Sequence, residues 1–269
     1  MSLRDAPLLY VFYETCFFDA QREFFERIVG LPVIENQFHP PHERHGLVKY
    51  DGGQLILSLN LNVERTFQVD ASDGLVTVVT TERAEEITSR LGPHSFARRS
   101  GSSDVFTDAC GHHYTFRFPS RTSRLGHDSA GLHVPELHLI VNSVATSIPF
   151  YAEILDLALK EHTVSSARFA TGTVDLILTE GEVAPDGRPT RHDTYLLVFH
   201  TGNIDALRET LVQRGLIFKG KRVGISDIGG TARFTDPDGH TFCLYQPSDE
   251  SLTWGSGGKV KELAMSRDR

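Results

Sequence analysis

The segment FTDACGHHYTFRFPS, Phe106–Ser120, returns late in the chain as FTDPDGHTFCLYQPS, Phe234–Ser248. The copies agree in order at Phe, Thr, Asp, Gly, His, Pro and Ser. Unrelated turns seldom agree over such a length. The chain therefore reads as an internal repeat, which restricts it to folds built from copies of one unit. In the second copy a strand meets the turn Asp236-Pro237-Asp238-Gly239, and a further strand, His240–Gln246, leaves it.

The repeat extends upstream. In the second half the pattern predicts a strand at Leu137–Val141 and a helix at Val144–Leu155, with Ile148, Tyr151, Ile154 and Leu155 at helical spacing. Short strands follow at Leu157–Glu161, Ala167–Thr171 and Val174–Thr179, then a polar loop, Gly181–Asp193. A strand, Tyr195–His200, and a helix, Ile204–Arg214 closed by Gly215, lead to the final strands. The first half repeats the order. It has strand Leu8–Tyr13, helix Phe17–Val29 ending at Gly30, three short strands in Leu31–Leu59, strand Leu75–Thr80 and helix Ala84–Leu91. The fold class is α+β, with four βαβββ units. The divisions are residues 1–120, a linker at 121–133, a second half at 134–249, and a polar, loosely held tail at 250–269.

A chain of 269 residues suits two domains, each able to bury a core. A net charge of −8 argues against a nucleic-acid partner, which needs clustered Lys and Arg. The apolar run Leu8–Tyr13 is too short for a secretory signal, and nothing approaches the ~20 apolar residues of a membrane span. Cys16, Cys110 and Cys243 are odd in number and contain no CxxC pair, so neither a zinc knuckle nor a disulfide framework is expected. A reducing, cytoplasmic setting follows as the expectation. A monomer and a homodimer both fit.

FYAEILDLAL after a first strand, NIDALRETLVQRG after the fifth and DPDGHTFCLYQP at the end resemble the vicinal oxygen chelate superfamily, which includes glyoxalase I, bleomycin resistance proteins and extradiol dioxygenases. The resemblance covers Pro135–Ser248 well and Pro7–Ser120 more weakly, through FFERIVGLPV and FTDACGHHYTF. It implies two half-open, curved-sheet modules in tandem, one glyoxalase-like module per half, each cupping a cavity. It does not specify a reaction, because this fold hosts several chemistries and plain binding.

Metal enzymes of that superfamily place His, His and Glu on the first, fifth and eighth strands, where imidazole and carboxylate leave open positions for substrate oxygens. In the second half those seats fall on His138, Leu196 and Cys243; in the first half, on Phe12, Val76 and Thr115. One ligand of three survives, so no metal and no other cofactor is expected. The neighbours Tyr195, Leu197, Phe242 and Leu244 restore no triad.

Strand alternation assigns the cavity linings. The second cavity is expected to show Glu136, His138, Ile140, Asn142, Thr194, Leu196, Val198, His200, Thr241, Cys243 and Tyr245. Apolar walls with a few polar groups suit a small molecule. His138 is the candidate acid or base, weighed against a core histidine satisfied by Glu136 or Tyr245. Cys243 reads as a small buried apolar residue, with His138 the one base that could activate it. His200 lies roughly 13 Å along its strand from the Leu196 seat, too far to share an ion with His138. The first cavity is expected to show Tyr10, Phe12, Glu14, Val76, Val78, Thr80, His113, Thr115 and Arg117. There Arg117 either clamps an anionic ligand or bridges to Glu14. His39, His42 and His45 recur at spacings of three, but Pro40 and Pro41 exclude the helix that would gather them.

Three functions remain open: a small-molecule-binding protein without the metal centre, a metal-free enzyme using His138, and a metal-dependent dioxygenase or glyoxalase-like lyase or isomerase.

Overall fold

The computed structural model describes residues 2–37, 45–62, 72–91, 97–99, 104–119, 131–181, 190–191, 194–225 and 227–265. The first unit is β1 (Leu8–Thr15), α1 (Phe18–Glu23) running into a π-helical turn (Phe24–Val29), β2 (Val33–Asn36), β3 (His45–Asp51) and β4 (Ile56–Asn62). After the short β5 (Ser72–Asp73), the second unit is β6 (Leu75–Thr80), α2 (Ala84–Arg90), β7 (Arg98–Arg99), β8 (Val105–Thr107) and β9 (His113–Arg117). The third is β10 (His133–Val141), α3 (Val144–Pro149) with a π-helical turn (Phe150–Ile154), β11 (Ala158–His162), β12 (Ser166–Ala170) and β13 (Asp175–Glu180). The short β14 (Thr190–Arg191) pairs with β5. The fourth unit is β15 (Tyr195–His200), α4 (Ile204–Gln213), β16 (Phe218–Ile225), β17 (Gly229–Thr235) and β18 (Thr241–Pro247).

Local chemistry explains the boundaries. Asn203 caps α4 by accepting from the Ala206 N–H, and Ile204, Leu207 and Leu211 bury one stripe of it. In both copies of the repeated turn the Gly N–H donates to the Asp carbonyl, at 3.0 Å for Gly111 and 3.2 Å for Gly239. Both glycines hold positive φ, 87° and 100°, where a side chain would be strained.

The four units are as expected, but their pairing is not. Sheet I runs β16-β17-β18-β15-β1-β4-β3-β2, and sheet II runs β11-β12-β13-β10-β6-β9-β8-β7. Sheet I joins the first and fourth units, and sheet II the second and third. Each sheet therefore takes one unit from each half, and neither half closes a sheet of its own. At the centres two first strands meet antiparallel, with Phe12 opposite Leu196 and His138 opposite Val76. The physical reason is that β1, β6, β10 and β15 are equivalent strands. Their alternation fixes which side chains face the core but not which first strand lies alongside.

One face of each sheet packs with the helices into a continuous core, including Phe24, Phe25, Tyr151, Phe169, Phe199 and Phe242. The repeated turn ties the sheets together. His112, between the sheet II strands β8 and β9, donates from Nε2 to the Glu14 carbonyl of β1 in sheet I, at 3.2 Å. His240, between the sheet I strands β17 and β18, donates from Nε2 to the Ile140 carbonyl of β10 in sheet II, at 2.9 Å. Burial lowers the His240 pKa to about 4, which keeps the ring neutral.

The expectation of a loosely held tail is overturned. Ser251–Thr253 forms a 3-10 turn and Gly257–Met265 a helix, α5. Val260 and Leu263 are buried with Leu9, Tyr10, Ile56, Val198 and Cys243, on the face of sheet I turned away from the main core. Charge along the segment hid this apolar stripe.

Candidate functional site

The far face of sheet II, opposite its core face, carries the polar centre. Along β10, Leu137, Leu139 and Val141 enter the core, so alternation places Glu136, His138 and Ile140 on the far face. Register brings Asp175 beside Glu136 and Ile177 beside His138 on β13, and Arg168 beside Ile177 on β12. On the other side Val78 lies opposite Glu136 and beside Thr115, and Arg117 follows on β9.

Glu136 is the hub. One carboxylate oxygen accepts from His138 Nε2 at 3.1 Å and from Arg117 Nη1 at 2.5 Å. The other accepts from Arg168 Nη2 at 3.1 Å. Arg168 also donates to Asp175 at 2.8 Å and to Glu161 at 2.9 Å, and Lys160 to Asp175 at 2.6 Å. The hydrogen bond from His138, helped by the charges of Arg117 and Arg168, lowers the Glu136 pKa to about 2 against the cost of burial. The Glu136 side chain is only 11% exposed, whereas that of Arg117 is 52% exposed and reaches solvent. Val76, Val78 and Ile177 supply buried apolar wall.

The residues expected to line the cavities are regrouped. Arg117, expected with Tyr10 in a first-half cavity, joins Glu136 and His138. Its expected bridge to Glu14 gives way to Glu136, because Glu14 sits on β1 of sheet I. Tyr10, Leu196, Val198, Cys243 and Tyr245 meet instead on the far face of sheet I, against α5. Asn142 faces neither cavity. It is exposed, and its backbone N–H and side-chain amide both donate to Asp238 at 2.8 Å, bracing the repeated turn. Of the two partners expected for His138, Glu136 is the one beside it, and Tyr245 belongs to the other sheet. Cys243 is a buried thiol whose pKa burial pushes up to about 11, and His138 on sheet II cannot activate it. His39 and His42 lie outside the described residues, and His45 opens β3.

Regrouping also reseats the positions of the superfamily's metal ligands. His138, Val76 and Thr115 now share sheet II, and Phe12, Leu196 and Cys243 share sheet I. Valine, phenylalanine and leucine have no donor atom, so these positions do not fit a divalent ion. Among the described residues one set of three metal-type donors lies close together, Asp108, Cys110 and His112, within 4.8 Å of one another. It belongs to the repeated turn. Asp108 accepts from the backbone of Cys110 and His112 and from the side chains of Gln21 and Tyr114. His112 holds the Glu14 carbonyl, and the Cys110 sulfur lies 3.0 Å from the Thr15 hydroxyl. Each donor thus has a bracing role between the sheets.

Arg168, Asp175 and Lys160 were not picked out from sequence. The available signal was a charged side chain at an alternate position of a strand, Arg168 between the buried Ala167 and Phe169, one strand removed from the strand that carries His138.

Two equivalent curved sheets built from four βαβββ units define the tandem vicinal oxygen chelate fold. Residues 132–244 match the model of the Glyoxalase/Bleomycin resistance protein/Dioxygenase superfamily. Glyoxalase I from Zea mays is similar over 98% of this chain and 97% of its own, with a TM-score of 0.64 and 15% identity. A putative dioxygenase from Bacillus subtilis is similar over 96% and 94%, with a TM-score of 0.63 and 11% identity. At these identities the likeness is one of fold. No curated protein matches the sequence. Among the described residues no helix is long and apolar enough to cross a membrane.

Proposed function

We propose that this protein binds a small organic molecule bearing a carboxylate or similar oxyanion on the far face of sheet II, without a metal centre. The supporting observation is the Glu136 hub. Two arginines and a histidine are fixed around one carboxylate, with Val76, Val78 and Ile177 beside them. A guanidinium has five N–H donors, and Arg117 spends one on Glu136 while its half-exposed side chain meets solvent. The remaining fork matches a carboxylate in geometry and charge. The apolar body of the ligand then covers the valine and isoleucine wall.

A second reading makes the site a metal-free catalyst, and one observation favours it. Glu136 accepts the Nε2 proton of His138, which leaves the lone pair on Nδ1. An ionised carboxylate behind an imidazole orients the ring and stabilises its charged form, the arrangement a general base needs.

Calorimetric titration with paired carboxylic acids and their primary amides tests the binding reading. The acids should bind at least about tenfold more tightly than the amides, and Arg117→Ala should erase the difference. Equal binding of acid and amide would overturn it, as would a stoichiometric metal ion, lost in His138→Ala, in protein purified without chelator. Turnover of a bound acid that disappears in His138→Ala would decide for the second reading.

A further inference from the structure

The far face of sheet I is occupied by the chain itself. Leu252, Val260 and Leu263 pack on Tyr10, Phe12, Ile56, Leu196, Val198, Cys243 and Tyr245. Below them lies a buried ion pair, Glu35 and Lys49, whose charged atoms are 3.0 Å apart. Lys49 also stands over the Tyr10 ring, 5.7 Å from its centroid. Ser256 completes the pair. Its hydroxyl donates to Glu35 at 2.5 Å and accepts from Lys49 at 3.0 Å, and its N–H donates to Glu35 at 2.9 Å.

That is the contact set of a bound small molecule: an apolar body on an aromatic floor, ending in one hydroxyl that both gives and takes a hydrogen bond. We propose that Ser251–Met265 is a built-in ligand for this face, and that a compact apolar alcohol displaces it. The segment adds no strand to the sheet. The sheet is complete without it, and Glu35 and Lys49 remain paired when it leaves. The equivalent face of sheet II holds its polar centre partly open, with His138 and Arg117 reaching solvent. The alcohol class follows from the charges beneath. Glu35 needs a donor and Lys49 an acceptor, and one hydroxyl satisfies both. An ionised carboxylate has no proton to donate to Glu35 in place of the Ser256 hydroxyl, so this site and the one on sheet II select different chemistries.

The test uses the full chain. Trp254 is the single tryptophan and lies within the segment, so its emission reports displacement. Titration with trans-4-tert-butylcyclohexanol should shift that emission to longer wavelength in a saturable way. The methyl ether of the same alcohol accepts but cannot donate, and should need about tenfold more for the same shift. Ser256→Ala should lower the alcohol concentration at half-displacement. Equal action of alcohol and ether, or unchanged Trp254 emission up to the solubility limit, would overturn the proposal. Val260→Asp with Leu263→Asp provides the spectrum of the released segment. If that variant fails to fold, the wild-type titration with the two compounds still decides.

Discussion

Asp156 holds a left-handed backbone, φ 57°, the one non-glycine with positive φ among the described residues. Gly30 stands at the same place in the first unit, φ 85°, after the same π-helical turn. A Cβ in this region costs roughly 1–2 kcal/mol, less for Asp and Asn than for other residues. The Asp156 carboxylate faces Arg4 at 3.4 Å and Arg214 at 3.2 Å, partly exposed pairs of modest value. Asp156→Ala should therefore destabilise by roughly 1–2 kcal/mol in urea unfolding. Asp156→Gly trades strain for the lost pairs and should stay within about 0.5 kcal/mol of wild type. Equal losses for the two variants would show that the ion pairs, not the backbone, dominate. At this scale the sequence was partly legible. His138 and Glu136 stood out as polar residues on an apolar strand, but Arg117 and Arg168 meet them only across strand pairings that no local pattern encodes.

Among the elements, the repeated turn has a clear physical role. Its Asp accepts from the backbone of the turn, and its His reaches across to the other sheet. His240 is fully buried, and its pKa falls from the usual 6.5 to about 4. With the folded pKa below the unfolded one, stability is fully present above about pH 6.5 and is lost as pH falls towards 4, by roughly 3 kcal/mol. Glu136, lowered from 4.5 to about 2, sheds its contribution in a separate, lower window. Denaturant midpoints measured from pH 7 to 4 should decline in wild type and decline less in His240→Gln, which starts less stable and keeps His133 and His200, whose pKa values burial also lowers. A wild-type plateau across that range would contradict the buried, neutral ring. The helices were legible in position but not in type. Both α1 and α3 widen into a π-helical turn, although only α3 has a proline before it, so a proline is not required for the turn.

For the whole molecule, the exchange of units between halves has a direct consequence. Residues 1–120 carry β1 and β6 with no first-strand partner of their own, and residues 134–249 carry β15 and β10 in the same condition. Either half alone exposes two central strand edges, which pair with other chains or aggregate. Co-expression of the halves, cut between Ser120 and His133, should give a soluble one-to-one complex. Each half expressed alone should be insoluble or self-associated by light scattering. A monomeric, folded single half would show that a half can close its own sheet.

The sequence by itself determined the unit: four repeats of strand, helix and three strands, the faces that alternate into the core, and the glycines and aspartates that close the turns. These are local properties, carried by periodicity and backbone preference within a few residues. Only the tertiary structure decided which equivalent strand lies beside which. It thereby brought Arg117 to Glu136 and His138, moved Cys243 to another sheet, and laid Ser251–Met265 over the second face. Equivalent repeats present equivalent edges, so the choice rests on long-range packing of the shared core.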